Sequence, residues 1–264
     1  MRPWRTALLG QAAPWLLPLS LLLLWELAAD TGLLSARVLP APSATALAFW
    51  DTLASGALPH HIAVSAQRAL LGLAIGGSIG FGLGLLNGVS PTAERLLDSS
   101  LQMLRNVPHL AIIPLVILWF GIGEGAKLFL VAVGVFFPLY INTLHGIRHA
   151  DRGLVEMARS YGLGPMALFL RVILPGALPS ILVGLRYALG IMWLTLIVAE
   201  TISASSGIGY MTMNAREFLQ TDVVLLGIVI YALLGKLADA LTRQLERRCL
   251  AWHPAHQTAT EATP

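Results

Sequence analysis

Long apolar stretches separated by short polar ones dominate the hydrophobic pattern of this chain. Six of them are close to or longer than the roughly 20 residues that a helix needs to cross a bilayer: residues 14–29, 62–89, 107–120, 127–147, 178–203 and 223–245. We therefore predict an all-α membrane protein of about six transmembrane helices. The first stretch follows Arg2 and Arg5 as in a signal peptide. However, Glu26 interrupts it and no A-x-A pattern precedes Asp30, which favours an uncleaved span.

The polar segments divide the chain into three parts. Residues 1–61 are predicted to hold an N-terminal tail, the first span and an external loop rich in Pro and Ser, and residues 62–250 the core transmembrane domain. The polar tail at 251–264 is predicted to be disordered, because it lacks apolar periodicity. Within the third span, Pro108 and Pro114 predict a kinked or broken helix.

Glycine recurs every fourth residue in the second span, which places the row on one helix face. In lipid such a row lets a neighbouring backbone approach closely. The row therefore predicts a tightly packed helix bundle, and it gives no information about a substrate. The row consists of Gly72, Gly76, Gly80, Gly84 and Gly88.

Composition agrees with membrane residence and excludes several classes of site. Apolar residues make up 56% of the chain and charged residues only 12%, about half the charge of a soluble domain. A single cysteine, Cys249, and scattered histidines predict no disulfide and no metal site. There is no GxxxxGK[ST] loop, so we expect no cofactor on this chain. The net charge of +3 does not indicate nucleic acid, since the basic residues follow topology.

Lysine and arginine positions predict that both chain ends lie inside the cell. With that orientation the outer loops hold only Arg37, Lys127 and Arg216, with Arg68 just within a span end. This is the bias expected of cytoplasmic segments. The internal segments hold Arg2, Arg5, Arg95, Arg148, Arg152, Arg159, Arg171, Arg243, Arg247 and Arg248.

The longest internal loop, residues 148–175, predicts two short helices. Asp151 is a plausible N-cap for the first, and the breaker cluster at 162–165 ends it. A second short helix at 166–172 would lead to the next span. Ala158 and Gly162 are four apart, so we expect them to share a face that is nearly bare of side chains. Such a helix suits either a groove on a partner protein or a place on the membrane surface.

This loop resembles the EAA loop of binding-protein-dependent ABC importer permeases. Residues 156–162 read E-M-A-x-x-x-G, and V-x-L-P follows after nine residues, with Met157 and Val172 as mild departures from the consensus. The resemblance runs from about residue 20 to 255. Stretches such as LLDSSLQMLRNVPHLAIIPLVILWFGIGEGAK are similar to the nitrate, sulfonate and taurine branch, and most of all to permeases of aliphatic sulfonate importers.

The resemblance implies a type I ABC importer permease in the bacterial inner membrane. It implies a homodimer of this chain with two ATP-binding subunits and a periplasmic binding protein, and it places ATP and Mg on the partner ATPase. It also implies residues that couple to that ATPase rather than catalytic ones: Glu156, Met157, Ala158, Gly162, Leu174 and Pro175.

Polar residues inside the spans are candidates for the translocation pathway. Arg186 and Glu200 share a helix face but lie about 20 Å apart along the axis, which is too far for an ion pair. With Thr195 between them they would suit a polar pore lining, and Arg105 with the Asn106 amide would guide an anion. The alternative for each arginine is a structural pairing, for example with a helix carbonyl or Asp98.

The polar segment 206–222 predicts a short external helix, with Tyr210, Met213 and Phe218 as possible anchors. It would seal the outer mouth, contact the binding protein, or simply pack as a loop.

Taurine, nitrate or another small organic anion is the alternative substrate. A secondary transporter would show inverted repeats and a carboxylate relay, and an intramembrane enzyme would show a paired nucleophile and base. Neither pattern stands out in the sequence.

Overall fold

Helices form nearly all of the part of the chain that the structure, a computed structural model, describes. It describes the backbone of residues 3–252 and the side chains of residues 15–202 and 204–252. The predicted disordered tail lies outside the described residues from position 253 onward. In chain order the helices are α1 (Pro3–Asp30), α2 (Pro42–Ala54), α3 (Ala57–Val89), α4 (Pro91–Arg105), α5 (Ile113–Phe120), α6 (Glu124–Arg148), α7 (Arg152–Ser160), α8 (Pro165–Leu168), α9 (Leu174–Ser203), α10 (Ile208–Glu217) and α11 (Thr221–Cys249).

Four helical runs among the described residues are long and apolar enough to cross a membrane: α3, α6, the run Pro165–Ile202 and α11. A fifth span results if α4 and the segment His109–Phe120 count as one. The first predicted span lies in α1, whose side chains at 15–24 are all exposed, and a continuous apolar surface of this kind marks contact with lipid. The prediction of an all-α membrane protein is confirmed, and its count of six spans is approximate.

The third predicted span is broken, as its prolines indicated. α4 ends at Arg105, a 3₁₀ turn covers His109–Ile112, and the two parts of the span are bent by 81°. Pro108 lacks an N–H and disfavours a helical residue before it, so α4 cannot run through. Pro114 falls in the first turn of α5, where a missing N–H costs nothing.

The glycine row of α3 packs against α6, and the prediction of tight packing is confirmed. Gly76, Gly80 and Gly84 face backbone carbonyl oxygens of α6. A Cβ added at Gly84 would lie 2.6 Å from the Tyr140 carbonyl oxygen. On the other side of α6, a Cβ at Gly184 of α9 would lie 2.9 Å from the Pro138 oxygen. α6 is therefore the central helix, with α3 and α9 held against it at backbone distance.

The loop predicted after the first span contains α2, which packs on α11 and α3. Glu26, the acid that interrupts the apolar run of α1, accepts hydrogen bonds from the Ser43 N–H at 3.0 Å and the Ser43 hydroxyl at 2.5 Å. Ser43 lies in the first turn of α2, where a carboxylate satisfies free N–H groups and interacts favourably with the helix dipole. The two N-terminal helices are thereby joined.

The cytoplasmic loop differs from its prediction at the second short helix. Residues 165–202 form one helical run instead of a short helix followed by a span. A π-helical turn at Phe169–Ile173 joins α8 to α9. Pro175 does not interrupt the run, because it stands at the start of α9 and the wider π turn does not require its missing N–H. The span is thus rigidly continued toward α7.

We predict that Gly84→Val destabilises the protein by about 1–3 kcal/mol or more, the usual cost of forcing atoms into a packed core. The new side chain would meet the Tyr140 carbonyl and the Thr143 side chain. Gly82→Val is the matched control, since no atom lies within 4 Å of a Cβ at Gly82. Thermal unfolding in detergent measures both variants. Equal melting temperatures would contradict the close approach of α3 and α6.

Candidate functional site

The EAA segment forms α7, a short helix with both ends capped by its own residues. Asp151 is the N-cap, as predicted: its Oδ1 accepts from the N–H groups of Gly153 at 2.8 Å and Leu154 at 3.2 Å. At the other end the Leu163 N–H donates to the Ala158 carbonyl at 3.1 Å. The Gly162 N–H donates to the Arg159 carbonyl at 2.9 Å. This is a Schellman motif.

Gly162 lies beyond the end of α7, so the predicted bare helix face is wrong. Its φ of +78° belongs to the left-handed region that the C′ position of a Schellman motif requires. The helix stop predicted at 162–165 is confirmed, and because Gly162 follows the last helical residue, the spacing of four does not place it on a helix face shared with Ala158. The glycine ends the helix and reverses the chain.

Ala158 also departs from the predicted face, because it is turned toward its own chain. It is buried and lines a cavity of about 460 Å³ together with Pro175. Leu174 packs on the buried cluster around Ile147 and Ala177. Among the predicted coupling residues, Ala158 and Pro175 therefore line one cavity between α7 and the base of α9, and Leu174 packs between α9 and α6.

The face of α7 that includes Ala158 also carries large apolar side chains, and two of them, Leu154 and Met157, line the same cavity. Leu154, Met157 and Tyr161 are spaced as one helical face and are 50%, 52% and 80% exposed. Glu156 is exposed beside them. Sequence reasoning singled out Glu156 and Met157 and missed Leu154 and Tyr161 as surface residues, although their helical spacing was visible. An exposed apolar stripe of this kind marks an interaction surface.

At the opposite end of the bundle, which the predicted orientation places outside the cell, Glu200 is buried in a polar network. Its carboxylate accepts from Arg68 Nη1 at 2.8 Å and from the Ser65 hydroxyl at 2.8 Å. It also accepts from the Gly209 N–H at 2.9 Å and the Tyr231 hydroxyl at 3.2 Å. One carboxylate thus joins α3, α9, α10 and α11.

The same network continues through Arg68 to α6. Arg68 donates from Nε and Nη2 to the two oxygens of Glu124, at 2.6 and 2.7 Å. Lys127 donates to Glu124 at 2.8 Å. Two cations and two carboxylates balance, so the buried charge is compensated. Arg68 and Lys127 are accordingly buried. Neither is an exposed charge of an external loop, so the predicted external loops carry fewer lysine and arginine residues than the sequence suggested.

Arg186 and Glu200 do share a helix face, but that face packs against α11. Arg186 donates to Glu246 of α11 at 2.5 Å and lies 3.7 Å from Asp239 of α11. Glu200 accepts a hydrogen bond from the Tyr231 hydroxyl, which also belongs to α11. As expected from their separation, each has its own partners. The structure therefore places both in helix packing, the structural alternative, rather than along a cavity.

The segment 206–222 contains the predicted external helix, α10, and of its possible anchors Tyr210 and Met213 are partly buried, with Tyr210 in ring contact with His61, while Phe218 is not an anchor. Ile208, Met211 and Ala215 are buried, whereas Phe218 is 70% exposed. Because the helix begins only at Ile208, the inward face follows from that residue at intervals of three and four.

A polar cavity of about 290 Å³ lies beside the break in the third span. Arg105, His109, Asn142 and Tyr187 contribute its polar side chains. Thr195 stands behind His109: its buried hydroxyl lies 3.2 Å from His109 Nε2. The predicted pathway residues Arg105 and Thr195 are therefore brought to one place, while Asn106 caps the end of α4 at the surface.

Three residues of this cavity escaped the sequence reasoning. His109 follows the kinking Pro108, and Asn142 is a polar residue within a span, so both carried a signal. Tyr187 directly follows Arg186, and only the rotation of α9 decides which of the two faces the cavity.

The sequence of this chain matches the family model for the binding-protein-dependent transport system inner membrane component over residues 72–250. Among curated proteins, the aliphatic sulfonates transport permease protein SsuC of Escherichia coli K12 is 65% identical over 93% of this chain and 94% of its own length. The protein of the same name from Bacillus subtilis is 48% identical over 92% and 88%. The taurine transport system permease protein TauC of E. coli is 38% identical over 88% and 86%.

Among solved structures, the MetNI methionine ABC transporter in inward-facing conformations is similar with a TM-score of 0.54. The sequences are 19% identical, and the match covers 68% of this chain and 92% of the other. At that identity the likeness concerns the fold, which is that of an ABC importer permease.

We predict that Glu200→Ala destabilises the protein by about 3–5 kcal/mol, the usual cost of removing one partner from a buried ion pair. Arg68 Nη1 would lose its carboxylate, and the Gly209 N–H would lose its acceptor. Glu94→Ala is the control, because its ion pair with Arg148 also joins two helices but is partly exposed and is worth at most about 1 kcal/mol. Denaturant unfolding in detergent measures both, and similar losses would contradict the anchoring role.

Proposed function

This chain belongs to the family of binding-protein-dependent transport system inner membrane components, and from that premise we propose that it is the permease of an ATP-driven importer of aliphatic sulfonates. Two copies of the chain would form the path across the bacterial inner membrane. Two ATP-binding subunits would drive it, and a periplasmic binding protein would deliver the substrate. The chain itself is a transport subunit.

The assignment of aliphatic sulfonates as the substrate rests on the 65% identity to SsuC of E. coli, which extends over almost the whole of both chains. The second SsuC relative, from B. subtilis, also exceeds the taurine relative in identity, at 48% against 38%. Aliphatic sulfonates are therefore favoured over taurine. Nitrate or another small organic anion on the same architecture is the alternative.

The exposed stripe of α7 supports a contact with the ATP-binding subunit. Leu154, Met157 and Tyr161 form an apolar face at the end predicted to be cytoplasmic, and an amphipathic helix docks such a face into a groove of its partner. Glu156 would add a polar contact at the edge. ATP and Mg would be bound by the partner, because this chain has no phosphate-binding loop.

The connection between α7 and α9 supports a mechanism of alternating access. Ala158 and Pro175 line one cavity at the joint, and the helical run from Pro165 continues without a break to the external end. A displacement of α7 by closure of the ATPase pair would therefore move α9 as a rigid element. The broken span α4–α5 and the central helix α6 would shift with it, opening the path to one side at a time.

We predict that Gly162→Val reduces ATP-dependent uptake strongly, whereas Gly162→Asn retains most of it. The left-handed φ of +78° costs an ordinary L residue roughly 1–2 kcal/mol, and Asn adopts it more readily. Space does not limit the change, since nothing lies within 4 Å of a Cβ at this position. Uptake, binding of the ATPase subunit and membrane content are measured together. Equal behaviour of Val and Asn would contradict the turn as the critical feature.

For the substrate, we predict that vesicles containing the complete transporter accumulate alkanesulfonates in an ATP-dependent manner, and taurine and nitrate poorly. Each substrate is offered with the cognate binding protein, with and without ATP. Preference for taurine or nitrate would select the alternative substrate. Uptake driven by an ion gradient without ATP would contradict an ATP-driven importer and favour a secondary transporter.

A further inference from the structure

Two cavities meet at the break of the third span. The polar cavity of about 290 Å³ shares Val107, His109, Val133 and Phe137 with a second cavity of about 600 Å³. Ligand sites typically have about 300–1,000 Å³, so the apolar cavity lies within this range and the polar one at its lower edge. The four shared residues form a common wall, so the two cavities are direct neighbours.

The polar cavity lies halfway along the length of the bundle. Pro138, which lines the polar cavity, is in the middle of α6, and Tyr187 is in the middle of α9. The adjoining chain break at 106–108 leaves backbone groups outside regular helix. Interrupted spans of this kind occur in membrane proteins where they line a cavity.

The polar cavity is suited to an anion. Arg105 is its charged residue, and no Asp or Glu is among the described residues that line it. Within the part of the chain that the structure describes, Arg105 has no ion-pair or hydrogen-bond partner, in contrast to Arg68 and Arg186. Arg105 is exposed in the single chain, and a guanidinium binds an oxyanion with two parallel hydrogen bonds. The Tyr187 hydroxyl provides a further donor, and the Asn142 amide, which already donates to the Pro138 carbonyl at 2.9 Å, retains its second N–H.

The second cavity is suited to an alkyl chain. It is an open groove of aliphatic and aromatic side chains of α3, the broken span and α6, including Ile75, Ile79, Leu104, Trp119 and Phe129, the first four of which are about half exposed. His109, its polar member, stands on the common wall and faces Thr195. Burial of methylene groups on such a surface is favourable in proportion to chain length.

We propose that these two cavities form one binding site for an aliphatic sulfonate within the membrane. Arg105, Tyr187 and Asn142 bind the sulfonate group, and the apolar cavity takes the alkyl chain. This inference rests on the proposed function and deepens it, because the permease itself then selects for an anionic head and an apolar tail. Taurine, with a charged amine at the end of its short chain, fits the apolar compartment poorly.

The experiment uses the complete transporter in proteoliposomes and a series of alkanesulfonates from ethane- to octanesulfonate. Arg105→Gln is expected to lower uptake of every member by about tenfold or more, the loss of one charge-assisted interaction, and Arg105→Lys to restore part of it. Stimulation of ATP hydrolysis by the loaded binding protein is expected to persist in Arg105→Gln. Arg95→Gln, an exposed change on the same helix, is the control.

The alkyl compartment has its own variant. Ile79→Trp narrows the apolar cavity and is expected to reduce uptake of octanesulfonate while leaving ethanesulfonate unchanged. Leu70→Trp is the control, since Leu70 is exposed on the same helix and does not line the cavity. If Ile79→Trp affects all chain lengths equally, or none of them, the assignment of the alkyl chain to the apolar cavity is overturned. The occupant would then be a lipid chain or a second copy of this chain.

The outcomes separate this site from the proposed function. If the unmodified transporter fails to accumulate any alkanesulfonate with ATP, the proposed function itself is overturned. If it accumulates all of them and Arg105→Gln does so equally well, only the anion site is overturned.

Discussion

A buried arginine is costly in a bundle that faces lipid unless its charge is balanced and its donors are paired. Arg68 meets both requirements by binding Glu124 through two parallel hydrogen bonds and Glu200 through a third at 2.8 Å. Each partner comes from a different helix, so satisfying one side chain sets the positions of α3, α6 and α9. The carboxylate of Glu200 extends the arrangement to α10 and α11 through Gly209 and Tyr231.

In the middle of the bundle, away from this network, the helices are held together by close packing of their backbones. Gly84 on α3 and Gly184 on α9 let two backbones approach α6 from opposite sides, and in lipid this close contact takes the place of the hydrophobic effect as the main attraction between helices. The combination of a fixed external end and a closely packed centre makes the bundle stiff. Motion is then best accommodated where regular helix is interrupted, at the break after α4.

α9 connects the three parts of the molecule that bear on transport. Pro175 at its base lines one cavity with α7, Tyr187 at its middle lines the polar cavity, and Glu200 near its other end joins the buried network. A single continuous helix carries a displacement along its length with little loss, since its backbone hydrogen bonds resist bending. The proposed path for the substrate and the proposed contact with the ATPase are thus mechanically linked.

The sequence alone determined the features that depend on neighbouring residues. The glycine row, the proline break, the Asp151 cap and the helix stop at Gly162 follow from backbone chemistry within a few positions, and all four are present. The tertiary structure decided the rest. Arg68 and Glu200 are 132 residues apart and His109 and Thr195 are 86 apart, and no local pattern pairs such residues. Likewise the rotation of a helix about its axis, which turns Ala158 inward and Tyr187 toward the cavity, is set by the neighbours it packs against, because the chain's own periodicity fixes only which residues share a face.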